Sequence, residues 1–67
     1  MNINTNIKLV EDLSKMDSSS MQDELSILLL SNDLDFLRAL RTEAEQLSLV
    51  NVVDEISLLV YNTLHQY

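Results

Sequence analysis

Residues 48–64, SLVNVVDEISLLVYNTL, concentrate apolar side chains in one segment of a 67-residue chain. The apolar members are Leu49, Val50, Val52, Val53, Ile56, Leu58, Leu59, Val60, Tyr61 and Leu64. On a helical wheel at about 100° per residue, the polar residues gather on one side, which only Leu58 interrupts. The apolar side covers about 200°, whereas an ordinary surface helix has an apolar stripe of about 100°. We therefore predict a helix with neighbours on more than one side.

A β-strand is the alternative for this segment, because Val and Ile favour sheets. The segment does not alternate apolar and polar residues, however, and its helical spacing is better. The chain also contains no Gly and no Pro, on which β-hairpins, nucleotide-binding loops and sharp catalytic turns commonly rely. Their joint absence argues against a Rossmann or P-loop site and predicts an all-α fold with short Ser, Asn and Asp connections.

The start of a second helix is marked by its capping residues. Ser19 and Ser20 are each followed, three residues later, by a residue that can complete a capping box. Asp23 and Glu24 would then lie in the first turn, where the helix dipole favours negative charge. Residues 1–4 are expected to be disordered. The helices are predicted at approximately residues 5–16, 20–31, 33–47 and 50–66.

The third helix is expected to begin after Asn32 or Asp33, with Asp35 in its first turn. The same residues resemble the start of a calcium-binding loop. The pattern fails at its sixth position, where Arg38 replaces Gly, and at its twelfth, where Ala44 replaces Glu. No metal site is predicted here.

Two apolar seams follow each other along the second half of the chain. The first, Leu37, Leu40, Ala44 and Leu47, lies on one helical stripe. The second consists of Leu49, Val53, Ile56, Val60, Thr63 and Tyr67. The step from Leu47 to Leu49 shifts the phase, which indicates a break or kink near residues 48–51. The alternative is one long helix from about residue 33 to 66 whose two halves face different neighbours.

The small size of the chain limits the core that it can build alone. A domain of about 60 residues buries only about 60% of the surface that its unfolded chain exposes. The chain has no Cys for disulfides and a single His, too few for a zinc or haem site. We therefore predict a small helical hairpin, or a bundle of three or four short helices, completed by oligomerisation or by a partner chain. The predicted interface is Leu49, Val53, Ile56, Leu59, Val60, Tyr61 and Leu64.

The charge balance of eleven acidic and four basic residues gives a net charge of −7. Such a surface repels nucleic-acid phosphates and anionic lipid headgroups, so neither is an expected partner. No stretch approaches the roughly 20 apolar residues that span a bilayer. The N-terminal sequence MNINTNIKLVEDL lacks the features of a signal peptide, and the chain lacks Cys, so a cytoplasmic location is expected.

Groups that could carry out catalysis are few. The acidic residues occur in pairs such as Glu11 and Asp12, and adjacent carboxylates on a helix point about 100° apart rather than toward one reacting atom. His65 stands alone near the chain end and is expected to cap the last helical carbonyl groups. We predict no catalytic residue, cofactor or small-molecule ligand.

The segments IKLVEDL and DFLRALRTEAEQLSLVNVVDEISLLVYNTL resemble, in hydrophobic rhythm, the small YscE-type co-chaperones of bacterial type III secretion needles. That family folds as an antiparallel helical hairpin. With a larger helical-repeat partner, it keeps the needle subunit from polymerising. The resemblance implies a chaperone function and hairpin or partner-facing seams at Leu37, Leu40, Val53, Ile56 and Val60.

The predicted function is that of a non-enzymatic helical interaction module, chaperone-like or regulatory, that binds itself as a homodimer or binds another protein. The alternatives are an acidic inhibitor that acts through its charge, such as a DNA mimic, an anti-repressor or an immunity-type protein, and a small biofilm connector. Charge-driven binding weakens strongly as salt rises, whereas apolar docking responds little, so salt dependence separates the two mechanisms.

Overall fold

The computed structural model describes the backbone of residues 3–66 and the side chains of residues 6–66. In this part of the chain there are four α-helices and no strand, which confirms the predicted all-α helical bundle. Each helix contacts the other three, so the bundle has one shared interior. The helices are α1 (Ile3–Ser14), α2 (Ser18–Ser31), α3 (Leu34–Gln46) and α4 (Val50–Leu64).

The ends of the helices differ from the predicted ends by a few residues. Ile3 and Asn4, expected to be disordered, lie in α1, whereas residues 1 and 2 lie outside the described residues. Tyr67, the last member of the second predicted seam, also lies outside them. Residues 33–66 form two separate helices rather than one long helix.

Asp17, and not Ser19 or Ser20, caps the start of α2. Its carboxylate Oδ1 accepts a hydrogen bond from the backbone N–H of Ser20 at 2.8 Å. The prediction of a serine cap was wrong because a capping carboxylate also interacts with the helix dipole, so the helix begins earlier, at Ser18. As a result Asp23 and Glu24 lie beyond the first turn of α2, although they were expected to lie in it.

Asn32 and Asp33 have different roles at the junction between α2 and α3. The side-chain amide of Asn32 donates to the carbonyl oxygen of Leu28 at 3.0 Å and so satisfies the end of α2. The Asp33 carboxylate accepts from the backbone N–H of Phe36 at 3.1 Å and caps α3. Asp35 lies in the first turn of α3, as predicted. Two adjacent residues therefore end one helix and begin the next.

The connection between α3 and α4 turns through a left-handed residue. Ser48 has φ 60°, the one positive φ described in a chain that has no Gly. The N–H of Leu49 donates to the carbonyl of Ala44 at 2.9 Å, and that of Ser48 to the carbonyl of Glu45 at 3.1 Å. This pair of bonds defines a Schellman motif, whose left-handed position is usually Gly. Leu49 then accepts from the N–H groups of Val52 and Val53 and begins α4.

All four helices contribute to the core, and every described core side chain is apolar. In the first predicted seam Leu37, Leu40 and Ala44 are fully buried, whereas Leu47 lies in the turn and is 38% exposed. Truncating a buried Leu to Ala typically costs about 2–5 kcal/mol, so the stability of so small a chain depends on each of these contacts. The buried residues are Val10, Leu13, Met21, Leu25, Leu37, Leu40, Ala44, Val52, Ile56 and Val60.

We expect Ser48→Gly to raise the free energy of unfolding by roughly 0.5–1 kcal/mol, measured by urea denaturation. Glycine removes a left-handed backbone penalty of about 1–2 kcal/mol, which exceeds the entropy it adds to the unfolded chain. The matched control is Ser26→Gly at an exposed position inside α2, which should lower the free energy by about 0.5 kcal/mol. Equal changes in the free energy of unfolding at Ser48 and Ser26 would show that the left-handed backbone of Ser48 carries no penalty.

The Asp17 cap should make stability depend on acidic pH. The hydrogen bonds from Ser20 lower the pKa of Asp17 below its ordinary value of 3.8. The pKa of Asp17 is therefore lower in the folded state than in the unfolded state. The contribution of the ionised cap to folding stability is complete above pH 3.8 and is lost as the pH falls through the folded-state pKa.

Asp17→Asn keeps a capping oxygen but does not titrate. The unfolding free energy of the wild type, compared with that of this variant, should therefore decrease when the protein is brought from neutral pH to about pH 2.5. A constant difference between the two proteins over this range would show that the cap contributes no pH dependence.

Candidate interaction surface

The apolar side of α4 is largely used inside the single chain. Ile56 and Val60, both in the predicted interface, are core residues, and Val52 joins them one turn earlier. Since α4 contacts α1, α2 and α3, its wide apolar side has neighbours within the bundle. The width of that side therefore does not by itself require a second chain.

The other predicted interface residues divide into two groups. Leu49, Val53 and Leu59 are half-buried and pack against the core. Tyr61 and Leu64 are exposed by 60% and 52%, respectively. Of the predicted set, these two are the most accessible to a partner.

A second group of apolar residues on α4 faces solvent. Val50 is 65% exposed and Leu58 is 50% exposed. At about 100° per residue, these two residues lie with Tyr61 and Leu64 within roughly 120° of the helix circumference. We call these four residues the outer face of α4. Val50 and Leu58 were absent from the predicted interface, although Leu58 had already stood out on the polar side of the wheel.

Polar contacts with α2 lie along one edge of α4. The Glu55 carboxylate accepts from the Ser18 hydroxyl at 2.8 Å and from the Gln22 side-chain amide at 2.7 Å. The same amide donates to the backbone carbonyl of Glu55 at 3.1 Å. Because both side chains of α2 are bound to Glu55, this edge of α4 points toward α2 and the outer face points away from the core.

A contact with the end of α1 continues this polar edge. The Asn51 side-chain amide donates to the backbone carbonyl of Ser14 at 2.9 Å. Asn51 and Glu55 are one turn apart on α4, and Ser14 and Ser18 follow each other across the α1–α2 junction. The end of α1 and the start of α2 therefore lie beside the first half of α4.

The helix α3 lies on the other side of α4 and runs antiparallel to it. An Arg41 guanidinium N–H donates to the Ser57 hydroxyl at 3.5 Å, a long and weak bond. The two residues are equally far along the chain from Leu49, as expected for a helical hairpin that turns there. In this register the start of α3 lies near the end of α4, together with the end of α2.

This shared end of the bundle carries further exposed apolar side chains. On α2, Ile27 is exposed and Leu30 is 88% exposed. Large apolar residues exposed singly are common in soluble proteins, but several at one end of a small bundle suggest a contact surface. Tyr61 and Leu64 of α4 add two more exposed apolar residues near this end.

His65 lies at the same end, as the C-cap of α4. Its ring centroid is 4.1 Å from that of Tyr61, with the planes inclined by 32°. The backbone N–H of His65 donates to the carbonyl oxygen of Tyr61 at 3.1 Å. We had expected the side chain of His65, and not its backbone, to bind the last carbonyl groups of the helix. The imidazole instead packs on the outer face of α4.

A shallow groove of about 280 Å³ lies at the α3–α4 turn. It is lined by Glu45, Ser48, Val50 and Val53. The side chains of Val50 and Val53 supply apolar contacts, and Glu45 supplies the one charge. No arrangement of polar groups that would orient a small molecule is present along these four residues.

Within the described residues, no group of three or more His, Cys, Asp or Glu side chains is placed to hold a metal ion. Asp33 and Asp35, considered above for calcium, serve the start of α3. None of the described helices is long and apolar enough to cross a membrane.

No protein-family model, curated protein or solved structure matches the chain.

We expect Glu55→Ala to lower the free energy of unfolding by about 1–2 kcal/mol, since it removes the acceptor of two hydrogen bonds between helices. Glu11→Ala, at an exposed position on α1, is the control and should change stability by less than about 0.5 kcal/mol. Thermal or urea denaturation measures both. Equal stability of the two variants would show that the Glu55 contacts do not anchor α2 to α4.

Proposed function

We propose that the protein is a non-enzymatic helical interaction module whose working surface is the outer face of α4. The observation that carries the proposal is the exposure of Val50, Leu58, Tyr61 and Leu64 on one helix, next to a core that is already filled with apolar side chains. Each apolar Å² removed from water contributes about 25 cal/mol, so docking of this face would be favourable before ordering costs.

The residue types on this face suit contact with protein. Tyr is enriched at interfaces because its ring is apolar and its hydroxyl remains hydrated or hydrogen-bonded. Tyr61 is held on one side by the His65 ring, which restricts its motion and lowers the ordering cost of binding.

Two biological forms of this proposal are a co-chaperone of the YscE type and a small cytoplasmic regulator. The antiparallel α3–α4 hairpin supports the first form, since a helical hairpin is the fold of that family. In either form α1 and α2 complete the core and hold α4 in place, α1 through Asn51 and α2 through Glu55, so that the hairpin presents the outer face of α4.

The proposal predicts that Leu58→Glu with Tyr61→Glu abolishes association while the fold is retained. Both side chains are at least half exposed, so the free energy of unfolding of the variant should lie within about 0.5 kcal/mol of the wild-type value. Light scattering detects self-association, and capture on immobilised protein followed by mass spectrometry detects other partners. Val60→Asp is unsuitable for this purpose, because it places a charge in the core.

The matched control is Ser26→Glu with Gln46→Glu, which adds the same charge at two exposed polar positions. If the control loses association as fully as the outer-face variant, added charge and not apolar contact is responsible. Association of the wild type that weakens steeply between low and high salt would instead favour the charge-driven inhibitor. A wild type that neither self-associates nor captures a protein contradicts the proposal.

A further inference from the structure

Two residues of the outer face of α4, Leu58 and Tyr61, belong to a symmetric row of four exposed residues. Asp54, Leu58, Tyr61 and His65 are separated by four, three and four positions, so the spacing is the same from either end. At about 100° per residue, they lie within roughly 60° of the helix circumference. All four side chains are exposed to solvent.

The chemistry of this row changes from one end to the other. Asp54 supplies a hydrogen-bond acceptor at the first end, and His65 supplies an imidazole N–H at the second. In either protonation state an imidazole can donate a hydrogen bond to a carboxylate. The two inner residues, Leu58 and Tyr61, are apolar in their contact surfaces. The row is therefore complementary to a copy of itself that runs in the opposite direction.

A two-fold symmetric dimer requires a surface with this property, because each patch then contacts its own copy. Resting on the proposed function, we propose that the partner of the outer face is a second copy of this chain. The two α4 helices pack antiparallel, with the two-fold axis passing midway between Leu58 and Tyr61. Leu58 contacts Tyr61 of the partner subunit, and the Asp54 carboxylate accepts a hydrogen bond from His65 of the partner subunit.

The surroundings of the row support this pairing. Glu55, the other carboxylate of α4, is bound to Ser18 and Gln22 and points toward α2, which leaves Asp54 as the acid in the row. His65 is held against Tyr61, so its ring already lies over the row before association. A parallel pairing would instead place Asp54 beside Asp54 and His65 beside His65, which leaves the carboxylate without a donor.

The net charge of −7 opposes the approach of two copies. At physiological ionic strength this repulsion is screened beyond about 8 Å, whereas the contacts along the row are closer. A stable dimer buries about 800 Å² of each partner, a sizeable part of the 4468 Å² surface of this chain. The row alone supplies less, so we expect a reversible dimer that forms as the concentration rises from micromolar to millimolar.

A charge exchange tests the direction of the pairing. Sedimentation equilibrium should show that Asp54→Lys and His65→Glu each weaken dimerisation about tenfold or more, because each is repeated twice in the dimer and removes the polar pair. The double variant Asp54→Lys with His65→Glu should regain most of the affinity, since the introduced lysine faces the introduced glutamate only in the antiparallel arrangement. Unfolding curves confirm that all variants are folded.

Cysteine pairing gives an independent measurement, since the chain has no Cys of its own. Asp54→Cys mixed with His65→Cys should form a mixed disulfide under mild oxidation. Asp54→Cys alone should not, because the two copies of residue 54 are about 16 Å apart along antiparallel helices.

Three results would overturn the inference, and they differ in what they imply for the proposed function. A wild type that stays monomeric at millimolar concentration, but captures another protein through Leu58 and Tyr61, refutes the second copy and retains the interaction module. The antiparallel α4 pairing is refuted if the double variant does not regain the dimer affinity that the single variants lose. It is also refuted if Asp54→Cys alone forms a crosslinked dimer readily. A monomer that captures nothing refutes both.

Discussion

The fold depends on the left-handed turn at Ser48, which reverses the chain between its two best-packed helices. Only Leu47, Ser48 and Leu49 separate α3 from α4. The Schellman bonds satisfy carbonyl groups at the end of α3, and Leu49 at once begins α4 by accepting from Val52 and Val53. With this reversal in place, the α3 stripe of Leu37, Leu40 and Ala44 can face Val52, Ile56 and Val60.

Two short helices then cover the remaining sides of this hairpin. Val10 and Leu13 of α1, with Met21 and Leu25 of α2, complete the buried core. The described core has no buried polar or charged side chain, so apolar packing holds the interior while polar bonds act at its edge. Glu55 and Asn51 make these edge contacts, which join α4 to α2 and to the end of α1.

Much of the architecture is visible in the sequence because it is local. The periodicity of the apolar residues indicated four helices, and the phase shift between Leu47 and Leu49 located the turn. The Asp17 cap was missed because three consecutive serines offered equally plausible local alternatives. A helical wheel cannot show which part of a wide apolar side faces the core, because that depends on tertiary contacts such as Gln22 with Glu55. For this reason Ile56 and Val60 were assigned to an interface, and Val50 and Leu58 were not.

The shortness of the α3–α4 connection also bears on how fast the chain folds. Closing a loop of so few residues costs little entropy, and helical bundles with mostly local contacts are among the fastest folders. The chain contains no proline, so no slow isomerisation of a prolyl bond interrupts the process. We expect the hairpin around Ser48 to act as the nucleus on which α1 and α2 assemble, with the whole chain reaching its native state in a single rapid phase.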